Sequence, residues 1–210
     1  MKVPQWGKRT IPRRSLNSSS KWDSGVVAGG ASRFHWPVLM LLLWSGLVNA
    51  VEGRAAPEWR IAEWLNGEGT TVEALRGKVV VIDFFQLWCP GCNAFSVPLM
   101  HKWEKKYANQ VESGEIFFLS IHTVFEGHDY QNPDRLREYV QKKGITHLVG
   151  IDHHRPGEET PETMRRYRTR GTPEMAIIDR GGVVRFQRFG GFDPKLGESL
   201  IDRLLAEPVK

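Results

Sequence analysis

Strands alternate with helices along residues 78–206, and the series closes with a hairpin and a last helix. That alternation predicts an α/β domain with a central mixed β-sheet flanked by helices. Three observations carry it: long apolar runs rich in β-branched and aromatic residues, helical-period stripes between them, and Asn, Asp or Pro where the period changes.

The elements follow in order. Lys78–Phe85 (KVVVIDFF) is continuously apolar except for Asp83, which predicts a strand buried on both faces at the sheet centre. Cys89 and Cys92 follow at once. Asn93–Ala108 then places Phe95, Leu99, Trp103 and Tyr107 at four-residue spacing, one apolar stripe of a helix. Pro98 falls inside it and is expected to kink it. Glu115–Ile121 is a second buried strand. Asn132 and Pro133 open a helix that reaches Lys143, and Gly144 ends it. His147–Ile151 is a short strand, and Thr160-Pro161 opens a helix to Arg168. Glu174–Asp179 is a strand, Asp179–Gly182 a tight turn, and Val183–Phe189 its hairpin partner. Asp193-Pro194 starts the last helix, which ends near Ala206.

Composition narrows the class. The chain has 210 residues, 40% hydrophobic and 25% charged, the proportions of an ordinary folded domain rather than a disordered or fibrous one. The net charge of +5 is concentrated at one end. Residues 1–50 hold seven Lys/Arg and one acid, leaving 22 basic and 23 acidic side chains in the other 160. A basic groove is not predicted, and no nucleic-acid partner is implied. Within the leader, Trp36–Val48 is an uncharged run of 13 residues, short for a spanning helix and suited to a signal-peptide core. Residues 1–50 read as an export signal, cleaved after Ala50 or retained as an N-terminal membrane anchor. Residues 51–210 read as the folded domain.

The only two cysteines, Cys89 and Cys92, form one C-x-x-C. Closing so short a loop stabilises a fold by only ~2 kcal/mol, so the pair calls for a chemical explanation. At a helix start, unpaired N–H groups and the helix dipole favour an anion, which lowers the thiol pKa below ~8.5. Cys89 is then the attacking nucleophile and Cys92 the resolving thiol, with exchange through a mixed disulfide on Cys89. Far downstream, Pro173 stands at the entry to a buried strand, where a proline must begin the strand or occupy a special turn.

Trp88-Cys-Pro-Gly-Cys92, the preceding Val-Ile-Asp-Phe-Phe, and Arg170-Gly-Thr-Pro173 before a strand resemble the thioredoxin superfamily. The match is to its exported TlpA/ResA-like, redoxin-type thiol–disulfide oxidoreductases, over about residues 57–207. The resemblance implies the thioredoxin fold, with a helix-containing insert (about 122–150) before the cis-Pro strand. It implies a cis Pro173 packed against the cysteine pair, with Thr172 offering backbone groups to a substrate chain. Asp83 becomes a buried acid beneath Cys92, raised in pKa by burial and suited to accept its proton. Trp88, Pro90 and Gly91 complete the docking surface. Implied partners are client proteins with cysteines or disulfides, apocytochrome c among the candidates, and a membrane thiol–disulfide electron carrier. Reduction is the direction the resemblance favours, with no metal or organic cofactor. The sequence departs from the family in its Pro90-Gly91 dipeptide, in the spacing of Pro98, and in Gln86-Leu87 before the tryptophan.

Two other classes stay open. A peroxiredoxin-like peroxidase would want a Thr where Gln86 stands. A copper-delivery module would add a histidine to the two thiols. The histidines His122, His128, His147, His153 and His154 fit no zinc-finger spacing. His122, at a strand end, is expected on the surface or in a hydrogen-bonded loop, or else near Cys89; His153 and His154 are expected in solvent. Arg165–Arg170 reads as a solvated helix face, or as charge acting on Cys89.

Overall fold

The computed structural model describes residues 53–208; the expected export signal or anchor lies outside them. Strands β1 (Arg54–Ala55), β2 (Ile61–Leu65), β3 (Val79–Phe85), β4 (Ile116–His122), β5 (Leu148–Asp152), β6 (Glu174–Ile178) and β7 (Val183–Phe189) form one sheet. Their order is β1-β7-β6-β3-β4-β5-β2. β3, β4 and β5 run parallel, and every other pairing is antiparallel. The sheet is therefore mixed, with β3 at its centre. Helices α1 (Val97–Lys106), α2 (Ala108–Glu112), α3 (Pro133–Lys143), α4 (Glu162–Tyr167) and α5 (Pro194–Ala206) accompany it.

All seven residues of β3 are buried, as its unbroken apolar run requires. Val80, Ile82 and Phe84 join Trp59, Leu119, Ile121, Tyr167 and Ile178 in one core layer. Val79 and Val81 pack on the other face with Met100 and Trp103 of α1 and Leu200, Ile201 and Leu204 of α5. Phe85 extends that second face under α3, among Val97, Leu136, Val140 and Val149. The strand thus separates two cores and ends at Phe85, and the turn that leads to the cysteines begins at Gln86.

Local chemistry sets the helix ends. The Asn132 side chain accepts the Arg135 N–H, Pro133 occupies the first turn of α3, and Gly144 ends it at φ 66°. Asp193 caps α5 in the same way. Gly182 closes the β6–β7 turn at φ 72°, a conformation glycine adopts without strain.

Three expectations need correction. β1 and β2 lay hidden in the sequence: β1 has two residues, and a register shift between Ile61 and Glu63 breaks the alternation of β2 at the sheet edge. Pro98 does not fall inside a regular helix. The helix begins at Pro90, and the chain meets the missing N–H of Pro98 with one widened turn over Cys92–Ser96, in which Val97 N–H reaches back to Cys92 O. That helix also ends earlier, breaking at Tyr107 (φ −103°, ψ 24°) before the short α2. Among the described residues, no helix is long and apolar enough to cross a membrane.

Tyr167 is fully buried against Phe84, at 5.2 Å between ring centroids, and its hydroxyl has no partner among the described residues. An unpaired buried hydroxyl is a net cost. Tyr167→Phe is expected to raise the unfolding free energy by about 1 kcal/mol in denaturant titration, whereas Leu204→Ala lowers it by about 2–5 kcal/mol.

Candidate active site

β3 delivers the chain to Gln86, and a short turn brings Cys89 to the start of a helix. Cys89 stands at the N-cap and Pro90 at the first helical position, where a missing N–H costs nothing. Cys89 and Cys92 are joined as a disulfide. Cys92 N–H donates to Cys89 Sγ at 3.0 Å, the bond an N-cap oxygen would ordinarily accept. The same N–H and the dipole of the helix favour a thiolate at Cys89 when the disulfide opens. Asn93 braces the turn: its Nδ2 donates to Leu87 O at 2.9 Å and to Cys89 O at 3.0 Å, and its Oδ1 accepts from Tyr139 of α3 at 3.1 Å. Cys89 retains 6% of its surface and Cys92 none, so of the two only Cys89 reaches the surface.

Facing the pair is the loop that enters β6. The Thr172–Pro173 peptide is cis. A Cβ on Gly91 would lie 2.8 Å from Pro173 Cδ, so the Pro90-Gly91 dipeptide abuts this proline. Gly91 has an ordinary helical φ of −64°; space, not backbone conformation, calls for glycine. Thr172 Oγ1 donates to Gln86 Oε1 at 3.2 Å, and Pro173 O accepts Gly190 N–H at 2.8 Å. Glu174, buried just beyond, accepts the Arg170 N–H at 2.8 Å. A groove of about 520 Å³ runs between the loop and the disulfide, lined by Trp88, Cys89, Pro90, Phe125, Thr172 and Phe189 among others. Trp88 is 45% exposed and stacks on Tyr130 at 5.9 Å. A Cβ on Gly127 would strike the indole at 2.0 Å, so this glycine admits the ring against the loop after β4.

Asp83 lies within β3, fully buried. Ser96 Oγ donates to its Oδ2 at 3.0 Å, and Oδ1 has no partner among the described residues. Burial pushes its carboxyl up from 3.8 to about 7, with the serine bond opposing. The Tyr139 phenol is pushed up to about 12 by burial, helped by the nearby Asp83 charge, so α3 reaches this region too.

The histidines depart from expectation. His122 is neither surface nor loop: it ends β4 with 1% exposure, against the Phe85 ring. Burial lowers its pKa to about 4, which leaves a neutral imidazole. It lies 3.4 Å from Gln131 Oε1, which accepts Leu87 N–H at 2.9 Å, so His122 braces the cysteine turn through Gln131. His154 is half-buried, with Nε2 2.6 Å from Val124 O, whereas His153 is exposed. Among the described residues, no group of three His, Cys, Asp or Glu side chains is placed to hold a metal ion. Arg170 leans over Phe189 at 5.4 Å and borders the groove, while Arg165 pairs with Glu158. The structure thus brings Trp88, Cys89, Pro90, Gly91, Cys92, Thr172 and Pro173 to one place, with Asp83 in the strand below. Asn93, Gln131 and Tyr139 were not legible as site residues. They are ordinary polar residues whose partners lie 4 to 46 positions away.

No protein-family model matches the chain. The chain is similar to a crystal structure of a thioredoxin-like superfamily protein, with 35% identity, 75% of this chain and 99% of that one covered, and a TM-score of 0.70. It is also similar to the structure of a thiol-disulfide isomerase from Corynebacterium glutamicum, with 37% identity, 73% and 98% coverage, and a TM-score of 0.66. Protein DipZ of Mycobacterium tuberculosis is 31% identical over 157 residues, which are 71% of this chain. The chain spans only 20% of that relative's length.

Asp83 binds its proton more tightly folded, at about 7, than at the ordinary 3.8. Its destabilising effect is therefore absent below about pH 4, grows as pH rises to about 7, and is full above that. Asp83→Asn is expected to stabilise the oxidised protein at about pH 8 by about 4 kcal/mol and to leave it unchanged near pH 3, measured by denaturant unfolding at both.

Proposed function

Because the chain belongs to the thioredoxin superfamily, among its redoxin-type thiol–disulfide oxidoreductases, we propose that it is an exported protein that reduces disulfides in extracytoplasmic clients. One observation carries the reading: a cysteine at a helix N-cap opens on a groove beside a cis-proline loop, with a buried carboxyl of raised pKa in the strand beneath. Export rests on the leader composition, and the reducing direction on the resemblance in sequence.

In the cycle, Cys89 thiolate attacks one sulfur of a client disulfide. The other client sulfur leaves as a thiolate, and a mixed disulfide joins Cys89 to the client. Cys92 gives its proton to the Asp83 carboxylate. Cys92 thiolate then attacks Cys89 Sγ and displaces the client's second sulfur, which takes a proton from solvent. Two electrons have passed to the client, and the Cys89–Cys92 disulfide has formed. Trp88, Pro90, Gly91, Thr172 and Pro173 form the surface against which the client chain lies. A membrane thiol–disulfide carrier returns two electrons to the pair. Apocytochrome c is one client that fits, since its cysteines must be reduced. The cycle calls for no cofactor beyond the cysteine pair and no nucleic acid.

The test is the reduction potential of the couple in the full chain, equilibrated in thiol redox buffers. A value near about −270 mV supports the reductase, and one near about −120 mV reverses the assignment to an oxidant. Cys92→Ser is expected to accumulate a mixed disulfide with a model client, visible by non-reducing electrophoresis. Cys89→Ser forms none and loses disulfide reduction.

A further inference from the structure

We propose that a buried polar chain, Ser120–His147–Glu104, is the route by which Asp83 exchanges its proton with solvent. The proposal rests on Asp83 being the acceptor of the Cys92 proton. Neither group touches water: Asp83 and Cys92 are both fully buried. A proton taken from Cys92 must leave before the next cycle, and one must return when the disulfide is reduced.

The surroundings of Asp83 offer one way out. Ser96, from the helix above, is itself buried and spends its hydroxyl on Oδ2. Tyr139, from α3, spends its hydroxyl on Asn93. On the β6 side the register partner is Met175. On the β4 side it is Ser120. Partners in a parallel ladder project to the same face on strands about 4.8 Å apart, a gap that a hydroxyl and one water can span. Asp83 Oδ1 has no partner of its own.

From Ser120 the chain continues outward. Its hydroxyl lies 2.7 Å from His147 Nε2. His147 is buried, and its Nδ1 lies 2.9 Å from Glu104 Oε1, in contact but off the line of a hydrogen bond. Glu104 keeps 20% of its side chain exposed, so a small rotation brings it into line. Beside it a cleft of about 510 Å³ opens, bordered by His147, Glu104 and Lys78. His101, on the same helix, faces the other oxygen of Glu104 at 3.6 Å.

The hops balance. Asp83 gives its proton to the bridging water, which passes one of its own to Ser120 Oγ; Ser120 passes its own to His147 Nε2, and the Nδ1 proton passes to Glu104 and then to solvent water. Only Asp83 and solvent change charge. When Cys92 is re-reduced the proton returns by the same hops, which restores the starting tautomer of His147.

Carboxyl-carbon NMR of Asp83 in the full oxidised chain tests this across its midpoint near 7. With a working relay, wild type and Ser120→Thr show one averaged line that shifts with pH. Ser120→Ala and His147→Phe are expected to slow exchange at least about tenfold, broadening or splitting that line at the midpoint. Ser120→Thr keeps the hydroxyl and guards against a mere change of fold. Unchanged line shapes in both Ser120→Ala and His147→Phe would overturn the relay. If Asp83→Asn still slows resolution of the mixed disulfide, the acceptor role survives that loss. If Asp83→Asn resolves at the wild-type rate, the acceptor role and the relay fall together.

Discussion

Asp83 sits inside β3, a strand whose seven residues are all buried, so its carboxyl has no water to solvate a charge. Its one hydrogen bond among the described residues comes from Ser96. Desolvation wins over that single donor, and the proton affinity rises to that of a group poised near neutrality. The two core layers that exclude water from β3 thereby set the proton affinity of this carboxyl. Packing and chemistry share one cause here. The same apolar run that makes β3 the sheet centre raises the proton affinity of Asp83.

The other sulfur owes its character to a helix end. Cys89 replaces the usual oxygen cap, and the N–H of Cys92 points at it. Between Gly91 and the facing loop there is almost no spare room. Gly91 is the residue that lets the helix start approach Pro173, and Gly127 lets Trp88 lie on the loop beyond β4. The groove is thus shaped by two absent side chains as much as by the residues that line it.

The helix that carries both cysteines solves a local problem in an unexpected way. Pro98 removes a backbone donor, and a proline inside a helix ordinarily bends it. Here the bonding frame slips by one residue over Cys92–Ser96, just ahead of the proline. The widened turn contains Cys92 at one end and Ser96 at the other, the residue that bonds Asp83. The widened turn therefore joins the second cysteine to the residue that bonds the buried acid.

Much of this was legible in order along the chain. The unbroken run of β3, the Asn132–Pro133 start and Gly144 stop of α3, and the C-x-x-C after a strand are local signals, each set by neighbouring residues. They determined the α/β class, the central strand and the place of the cysteine pair at a helix start. Edge strands β1 and β2 escaped because a two-residue strand and a shifted register leave no period to read. His122 and Ser120–His147–Glu104 escaped for a different reason. A histidine carries no mark of burial, and these partners lie 9 to 43 positions apart in the chain. Only the tertiary structure decided which polar groups lost their water and which found a neighbour. Proton affinity in a folded chain depends on desolvation and on partners distant in sequence.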